Sequence, residues 1–306
     1  MHSVLDILRK SESYLAGKGI PEPRLDAEHL LSDALSCARM DLYLRFDRPV
    51  EEETLAALRE RLARRGKREP LAYLLGWQPF HGLRVSVGPG ALVPRPETEE
   101  LAERTAALLP PDPRRILDLG TGAGAIALWL KDRFPDAEVV GADRSEAALA
   151  WARRNAAESA RTVEWIRSDW FEGLEGRFDA VIANPPYLGA DEFAAAEPEV
   201  RDFEPREALV ADDAGLADLR RIVGRAPAFL SPGGLLALET GPGHREPLLA
   251  LAKERKYADA WGEDDLQGRP RFVFARPRNE NANSRPGEGE SPPGPAHPAR
   301  PAPAGP

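Results

Sequence analysis

Ile116-Leu117-Asp118-Leu119-Gly120-Thr121-Gly122-Ala123-Gly124 is the stretch that decides the fold. Its first four residues are strand-like, its glycines break the strand, and Ala125 to Leu130 continues as a helix. The alternation persists downstream. Glu138 to Ala142 reads as a second strand and Ala147 to Ala156 as a second helix. Val163 to Arg167 and Phe178 to Ala183 read as strands three and four. Leu216 to Leu230 reads as a helix, Gly234 to Glu239 as strand five, and Arg271 to Ala275 as the last strand candidate. Such alternation implies crossover units, hence an α/β fold with a mostly parallel sheet covered by helices on both faces.

Glycines after the first strand permit positive φ and let the backbone approach a ligand closely. Ligands of open parallel sheets bind at the carboxyl ends of the strands, where this loop lies. The acidic Asp118 precedes the glycines, and the G-T-G-A-G spacing is shorter than the G-x-G-x-x-G of dinucleotide sites. Asp143 follows the second strand, where a carboxylate can accept from both hydroxyls of a ribose. Its competing reading is a helix N-cap, with Ser145 and Glu146 beside it. Asp169 and Trp170 follow the third strand, placed to hydrogen-bond an adenine amino group and to cover its ring. The competing reading is a satisfied surface Asp beside a partly buried Trp. Coincidence is a poor account of all these elements falling at successive strand ends.

The fourth strand ends in Asn184-Pro185-Pro186-Tyr187. Both prolines lack an N–H and hold φ near one value, so the loop is stiff and its carbonyls stay free. The asparagine side chain adds another acceptor. A corner of this kind suits a planar NH2 group whose two protons need acceptors, the chemistry of amino-group methylation on an amide or a base. A Pro-rich turn with a capping Asn is the bland alternative.

Composition narrows the field. The chain has 306 residues with 42% hydrophobic, enough for one large domain and a small one. A net charge of −9 argues against a general nucleic-acid binder. The single Cys37 excludes an internal disulfide framework, and five scattered His argue against a zinc site, so no metal is expected. The N-terminus lacks a signal-peptide layout and no window approaches a membrane span, so a cytoplasmic protein without a membrane partner is expected. Residues 1 to about 75 look helical, with apolar faces at Val4, Ile7, Leu8 and Leu15, at Ala27, Leu30, Leu31, Ala34 and Leu35, and at Leu55, Leu58 and Leu62. Phe80 to Val93, interrupted by Gly82, Gly88, Pro89 and Gly90, reads as a hairpin. After Pro277 the composition collapses to Pro, Gly, Ala, Asn and charged residues, expected to be disordered.

With these residues in place, the chain resembles the class I S-adenosylmethionine-dependent methyltransferases. More narrowly, it resembles the PrmC/HemK family of release-factor glutamine N5-methyltransferases. The resemblance runs to about residue 276. It is carried by Glu69-Pro70-Leu71-Ala72-Tyr73-Leu74-Leu75-Gly76, Leu92-Val93-Pro94-Arg95-Pro96-Glu97-Thr98-Glu99 and Ile116 to Ile126. Ser168-Asp169-Trp170-Phe171, Asn184 to Tyr187, Phe203-Glu204-Pro205 and Gly268-Arg269 complete it. It implies a Rossmann-like seven-stranded sheet with its last strand antiparallel. It also implies an N-terminal helical substrate-recognition domain over 1–76, a hairpin linker over 77–95, a methyltransferase domain over 96–277 and a tail over 278–306. Implied cofactor contacts are Gly120, Thr121, Gly122, Ala123, Gly124, Asp143, Trp170 and Asn184, to which the reading of the third strand end adds Asp169. Implied substrate contacts are Asn184, Pro185, Pro186 and Tyr187, with Asn184, Pro185 and Tyr187 serving catalysis. The implied substrate is the glutamine of the Gly-Gly-Gln motif in class 1 peptide chain release factors, without direct nucleic-acid contact and with a monomer as the default. The segment around Glu239-Thr240-Gly241 varies within the family and receives no role. Alternatives are a glutamine methyltransferase of a ribosomal protein and an exocyclic-amine methyltransferase of DNA or RNA. The Pro94-Arg95-Pro96-Glu97-Thr98 run favours the release factor over the first, and the acidic balance disfavours the second.

Overall fold

The computed structural model describes residues 2–278; the expected disordered tail lies, beyond its first residue, outside them. Ser3 opens the first helix, Val4–Gly17, with a reciprocal cap: its hydroxyl accepts from the Asp6 N–H while the Asp6 carboxylate accepts from the Ser3 N–H. Helices Pro23–Ala34, Glu52–Arg65 and Leu71–Leu75 complete an N-terminal bundle with its own core, including Leu8, Leu15, Leu30, Leu31 and Leu58. Gly76 ends the bundle at φ 77°, where the chain turns into a two-stranded hairpin of β1 (Trp77–Phe80) and β2 (Leu83–Ser86). The hairpin thus begins three residues before Phe80 and closes well before Val93. The residues beyond it run to helix Pro96–Leu108, which starts inside the Pro-Arg-Pro-Glu-Thr run with Pro96 in its first turn.

Seven further strands make one sheet: β3 (Arg115–Leu119), β4 (Glu138–Asp143), β5 (Glu164–Arg167), β6 (Phe178–Ala183), β7 (Leu230–Glu239), β8 (Asp259–Asp264) and β9 (Pro270–Arg276). Their spatial order is β5-β4-β3-β6-β7-β9-β8, and β9 runs antiparallel to both its neighbours while the pairs from β5 to β7 are parallel. Alternate side chains feed two cores, as the two-residue period of a strand requires. Ile116, Ala180, Ile182, Leu235 and Phe272 pack on one face with helices Pro96–Leu108 and Ala125–Arg133. Leu117, Val181, Leu236 and Val273 pack on the other with helices Ala217–Arg225 and Arg245–Glu254.

The register decides where the functional loops emerge. Leu119 lies beside Ala142, Asp118 beside Ile182, and Ala183 beside Leu238. The residues that follow, Gly120, Asp143, Asn184 and Glu239, therefore leave the sheet at one edge, at the strand-order reversal between β3 and β6. No helix among the described residues is long and apolar enough to cross a membrane.

Two links tie the bundle to the sheet. Arg65, almost fully buried, donates to Asp26 Oδ2 at 2.6 Å within the bundle and to Glu199 Oε1 at 2.7 Å across it. Arg68 donates to the other oxygen of Glu199 at 2.8 Å and to Glu197 at 2.6 Å. Both acids belong to the short helix Pro198–Phe203 and its N-cap, in the stretch that follows the Asn-Pro-Pro-Tyr corner.

Candidate active site

The glycine turn is held from below by Asp118. Its Oδ2 accepts from Thr121 Oγ1 at 2.5 Å and from the Ala127 N–H at 3.1 Å, which pins the loop to the first turn of its helix. Its Oδ1 is buried with no partner, and burial pushes the carboxyl up to about 7. Gly120, Gly122 and Gly124 all have positive φ. A Cβ on Gly124 would sit 2.8 Å from the Trp165 ring and 3.1 Å from Ala152, so this glycine serves close helix packing.

The turn forms the floor of a cleft of about 980 Å³, open solvent included, at the upper end of the range for small-molecule sites. Gly120, Thr121, Gly122, Ala123, Asp143, Asp169, Trp170, Asn184 and Pro186 all line it. Gly124 lies outside that lining and packs against Trp165 and Ala152. Asp143 Oδ2 accepts from the Gly122 N–H at 2.9 Å and Oδ1 from the Ser145 N–H at 2.8 Å, leaving a lone pair on each oxygen. Burial pushes its carboxyl above the ordinary carboxylate range, and those backbone donors oppose the shift. The N-cap of helix Glu146–Ser159 is Ser145, whose hydroxyl accepts from the Ala148 N–H, so Asp143 is not needed as the cap.

Trp170 occupies φ 53°, a conformation bulky residues rarely adopt. Its indole N–H donates to Asp218 Oδ1 at 2.9 Å, and its six-membered ring lies 3.4 Å from where a Gly120 Cβ would stand. The ring therefore forms a fixed apolar wall over the glycine turn. Asp169 is paired with the Arg221 guanidinium through both carboxylate oxygens, at 2.9 and 3.1 Å. This is the satisfied acid of the bland reading, although it borders the cleft.

The corner separates this cleft from a second cavity. Asn184, Leu92 and Arg95 line both; Pro185, Tyr187, Leu188 and Val200 line only the second. Asn184 Nδ2 donates to Thr98 Oγ1 at 2.9 Å, and among the described residues no donor meets its Oδ1. Thr98 Oγ1 donates in turn to Glu239 Oε2 at 2.7 Å, while the Tyr187 hydroxyl donates to Glu239 Oε1 at 3.0 Å. Glu239 is 1% exposed. Burial pushes its carboxyl above the ordinary range, and the two hydroxyls and the Arg271 charge pull it back. Burial, then the neighbouring Glu239, pushes the Tyr187 phenol upward.

Glu204 closes the far side: it accepts from the Val93 N–H at 3.0 Å and from Arg95 at 2.5 Å, pinning the run before helix Pro96–Leu108. Thr98, Glu204 and Glu239 were not assigned to the site from sequence. The available signal was an acid closing the apolar run Leu235–Leu238, directly beside the strand that ends in the corner.

Two family models match the chain: the PrmC N-terminal domain over residues 6–76 and the methyltransferase small domain over residues 100–197. The chain is 42% identical over 275 residues to the release factor glutamine methyltransferase of Geobacter sulfurreducens, covering 90% of this chain and 96% of that one. It is 41% identical over 278 residues to that of Salmonella typhimurium, covering 90% and 97%. Among solved structures, the hMettl16 catalytic domain superposes with a TM-score of 0.54 at 16% identity, covering 72% of this chain and 83% of that one, a likeness of fold. Relatives of such identity, matching 90% of its length, make the chain a methyltransferase that belongs to the release factor glutamine methyltransferase family.

Proposed function

We propose that this protein transfers a methyl group from S-adenosylmethionine to the side-chain amide nitrogen, N5, of the glutamine in the Gly-Gly-Gln motif of class 1 release factors, working as a cytoplasmic monomer. The observation that carries the reading is Asn184 at the boundary of two cavities, its amide nitrogen engaged and its amide oxygen left to accept. The cleft residues fit the methyl donor. Asp143 keeps two free lone pairs for a ribose diol, and the Trp170 ring and Asp169 border the same space.

S-adenosylmethionine supplies an electrophilic methyl on a sulfonium whose leaving group is a neutral thioether. The chain's own work is on the nucleophile. An amide nitrogen is poor because its lone pair is delocalised into the carbonyl. Asn184 Oδ1 and the Pro185 carbonyl accept the two amide protons, which fixes the NH2 group and stabilises the positive charge that builds on nitrogen as the N–C bond forms. Pro185 and Pro186 are buried, so these acceptors are held on a rigid loop. Tyr187 packs beside the amide plane, oriented by its bond to Glu239. The surplus proton on nitrogen then passes to water.

The test is to incubate the protein with methyl-labelled S-adenosylmethionine and, separately, a release factor, the same factor with its motif Gln changed to Ala, ribosomes, and DNA. Label confined to the unmodified release factor is expected; label in ribosomal protein or DNA would overturn the reading. Asn184→Ala should lower turnover by about 10²-fold or more while leaving cofactor affinity mostly intact. Near-normal turnover would remove Asn184 from catalysis.

A further inference from the structure

We propose that Thr98 and Glu239 are positioning residues that set which end of the Asn184 amide faces the substrate. An asparagine side chain can present either its oxygen or its NH2, and the two orientations are almost identical in shape. Methyl transfer to an amide nitrogen needs the oxygen. Nothing in Asn184 itself makes that choice.

The choice is made two bonds away. Each carboxyl oxygen of Glu239 already faces a hydroxyl donor. Its Oε1 is taken by the Tyr187 hydroxyl at 3.0 Å and its Oε2 by the Thr98 hydroxyl at 2.7 Å. Thr98 has one hydroxyl proton, and Glu239 holds it. Toward Asn184, Thr98 Oγ1 therefore acts as an acceptor, and only Nδ2 can donate to it, as it does at 2.9 Å. In the flipped amide two oxygens would face each other and the donor chain would be broken. Polarity thus runs one way, from Asn184 through Thr98 to a buried carboxylate. The same carboxylate anchors Tyr187, so one group orients both ends of the corner. The three residues lie far apart in sequence and are joined by the start of helix Pro96–Leu108 and the carboxyl ends of β6 and β7.

The inference rests on the role given to Asn184 above. Its test compares Thr98→Val, which keeps the shape and removes the hydroxyl, with Thr98→Ser, which keeps the hydroxyl, using a purified class 1 release factor and labelled S-adenosylmethionine. Thr98→Val should lower kcat roughly tenfold, the scale of one misdirected hydrogen bond. Release-factor KM and cofactor affinity should stay near wild type, and Thr98→Ser should restore kcat. In an Asn184→Ala background, Thr98→Val should add no further loss, because the residue it orients is gone. Additive losses, or a Thr98→Val defect confined to KM, cofactor affinity or thermal stability, would overturn the positioning role while leaving Asn184 catalytic. Full turnover in Asn184→Ala alone would instead remove the role of Asn184, and this inference with it.

Discussion

Gly215 is the position where one added methyl group should damage the corner without replacing any of its side chains. It sits at φ 88°, and a Cβ built on it would lie 2.1 Å from the Tyr187 carbonyl oxygen, 2.7 Å from its carbonyl carbon and 3.0 Å from the His244 ring. Ordinary carbon–oxygen contacts are no closer than about 3.3 Å. Alanine there demands a displacement of roughly 1 Å. Yielding is hard on both sides. Leu188, next along the chain, exchanges backbone bonds with Leu209 and Ala211, and His244 is held by the Gly241 N–H and the Ala214 carbonyl. The left-handed backbone adds about 1–2 kcal/mol and the overpacking about 1–3 kcal/mol, so Gly215→Ala should lose roughly 2–5 kcal/mol of stability. A shift of about 1 Å in the corner should also lower kcat by about 10²-fold. Gly233→Ala is the internal control, because Gly233 is also left-handed, at φ 78°, with nothing within 4 Å of its Cβ position. It should show the backbone penalty alone and full turnover. Denaturant unfolding and single-turnover methylation of a release factor measure the two effects. A Gly215→Ala protein as stable and as active as Gly233→Ala would refute the claim that this glycine holds the corner in place.

Arg65→Ala would leave the nearly buried acids Asp26 and Glu199 without their shared cation, and should destabilise the protein by about 3–5 kcal/mol in denaturant unfolding; a loss under about 1 kcal/mol would show the pair to be dispensable. Asp118 predicts a pH trend whose sign follows from its raised value: lifted from 3.8 to about 7, it binds its proton more tightly folded than unfolded, so its contribution is greatest below about pH 4 and is lost as pH rises through about 7. The difference is on the order of 4 kcal/mol, and Asp118→Asn should abolish it; parallel stability-against-pH curves for the two proteins would contradict the assignment.

The parallel sheet was legible because its central strands are continuous apolar runs buried on both faces, and because glycines or acids end them where ligands bind. Strand β8 escaped the pattern: Asp259-Ala260-Trp261-Gly262-Glu263-Asp264 is a half-exposed edge whose charges protect it from pairing with another chain, and such edges do not alternate cleanly. Helix Pro96–Leu108 escaped for another reason. Its buried face includes Thr98, Ala102, Thr105 and Ala106, small or polar residues that carry little periodic signal. Within the site, Asp143 and Trp170 could be read from their places at strand ends. Gly124 looked the same as its neighbours, and only the Trp165 ring pressed against it separates packing from ligand approach. Glu239 could not be assigned from its neighbours in sequence, because its partners Thr98 and Tyr187 are brought to it by the strand order alone.

The same geometry links the helical bundle to the corner through a chain of ion pairs. Arg65 and Arg68 of the bundle grip Glu199, one residue before Val200, which lines the second cavity beside Asn184. Glu204, one residue past the same short helix, holds Val93 and Arg95, which lead directly into the helix that carries Thr98. A force applied to the bundle therefore reaches the cavity wall and the root of the Asn184 orientation through charge-assisted hydrogen bonds between short, well-anchored segments. Interiors packed this way transmit displacement rather than absorb it. Under the proposed function, a release factor seated on the bundle meets an acceptor corner already in its working shape. That is the economical arrangement for a weak amide nucleophile, since catalysis by fixed acceptors gains most when nothing has to reorganise as the bond forms.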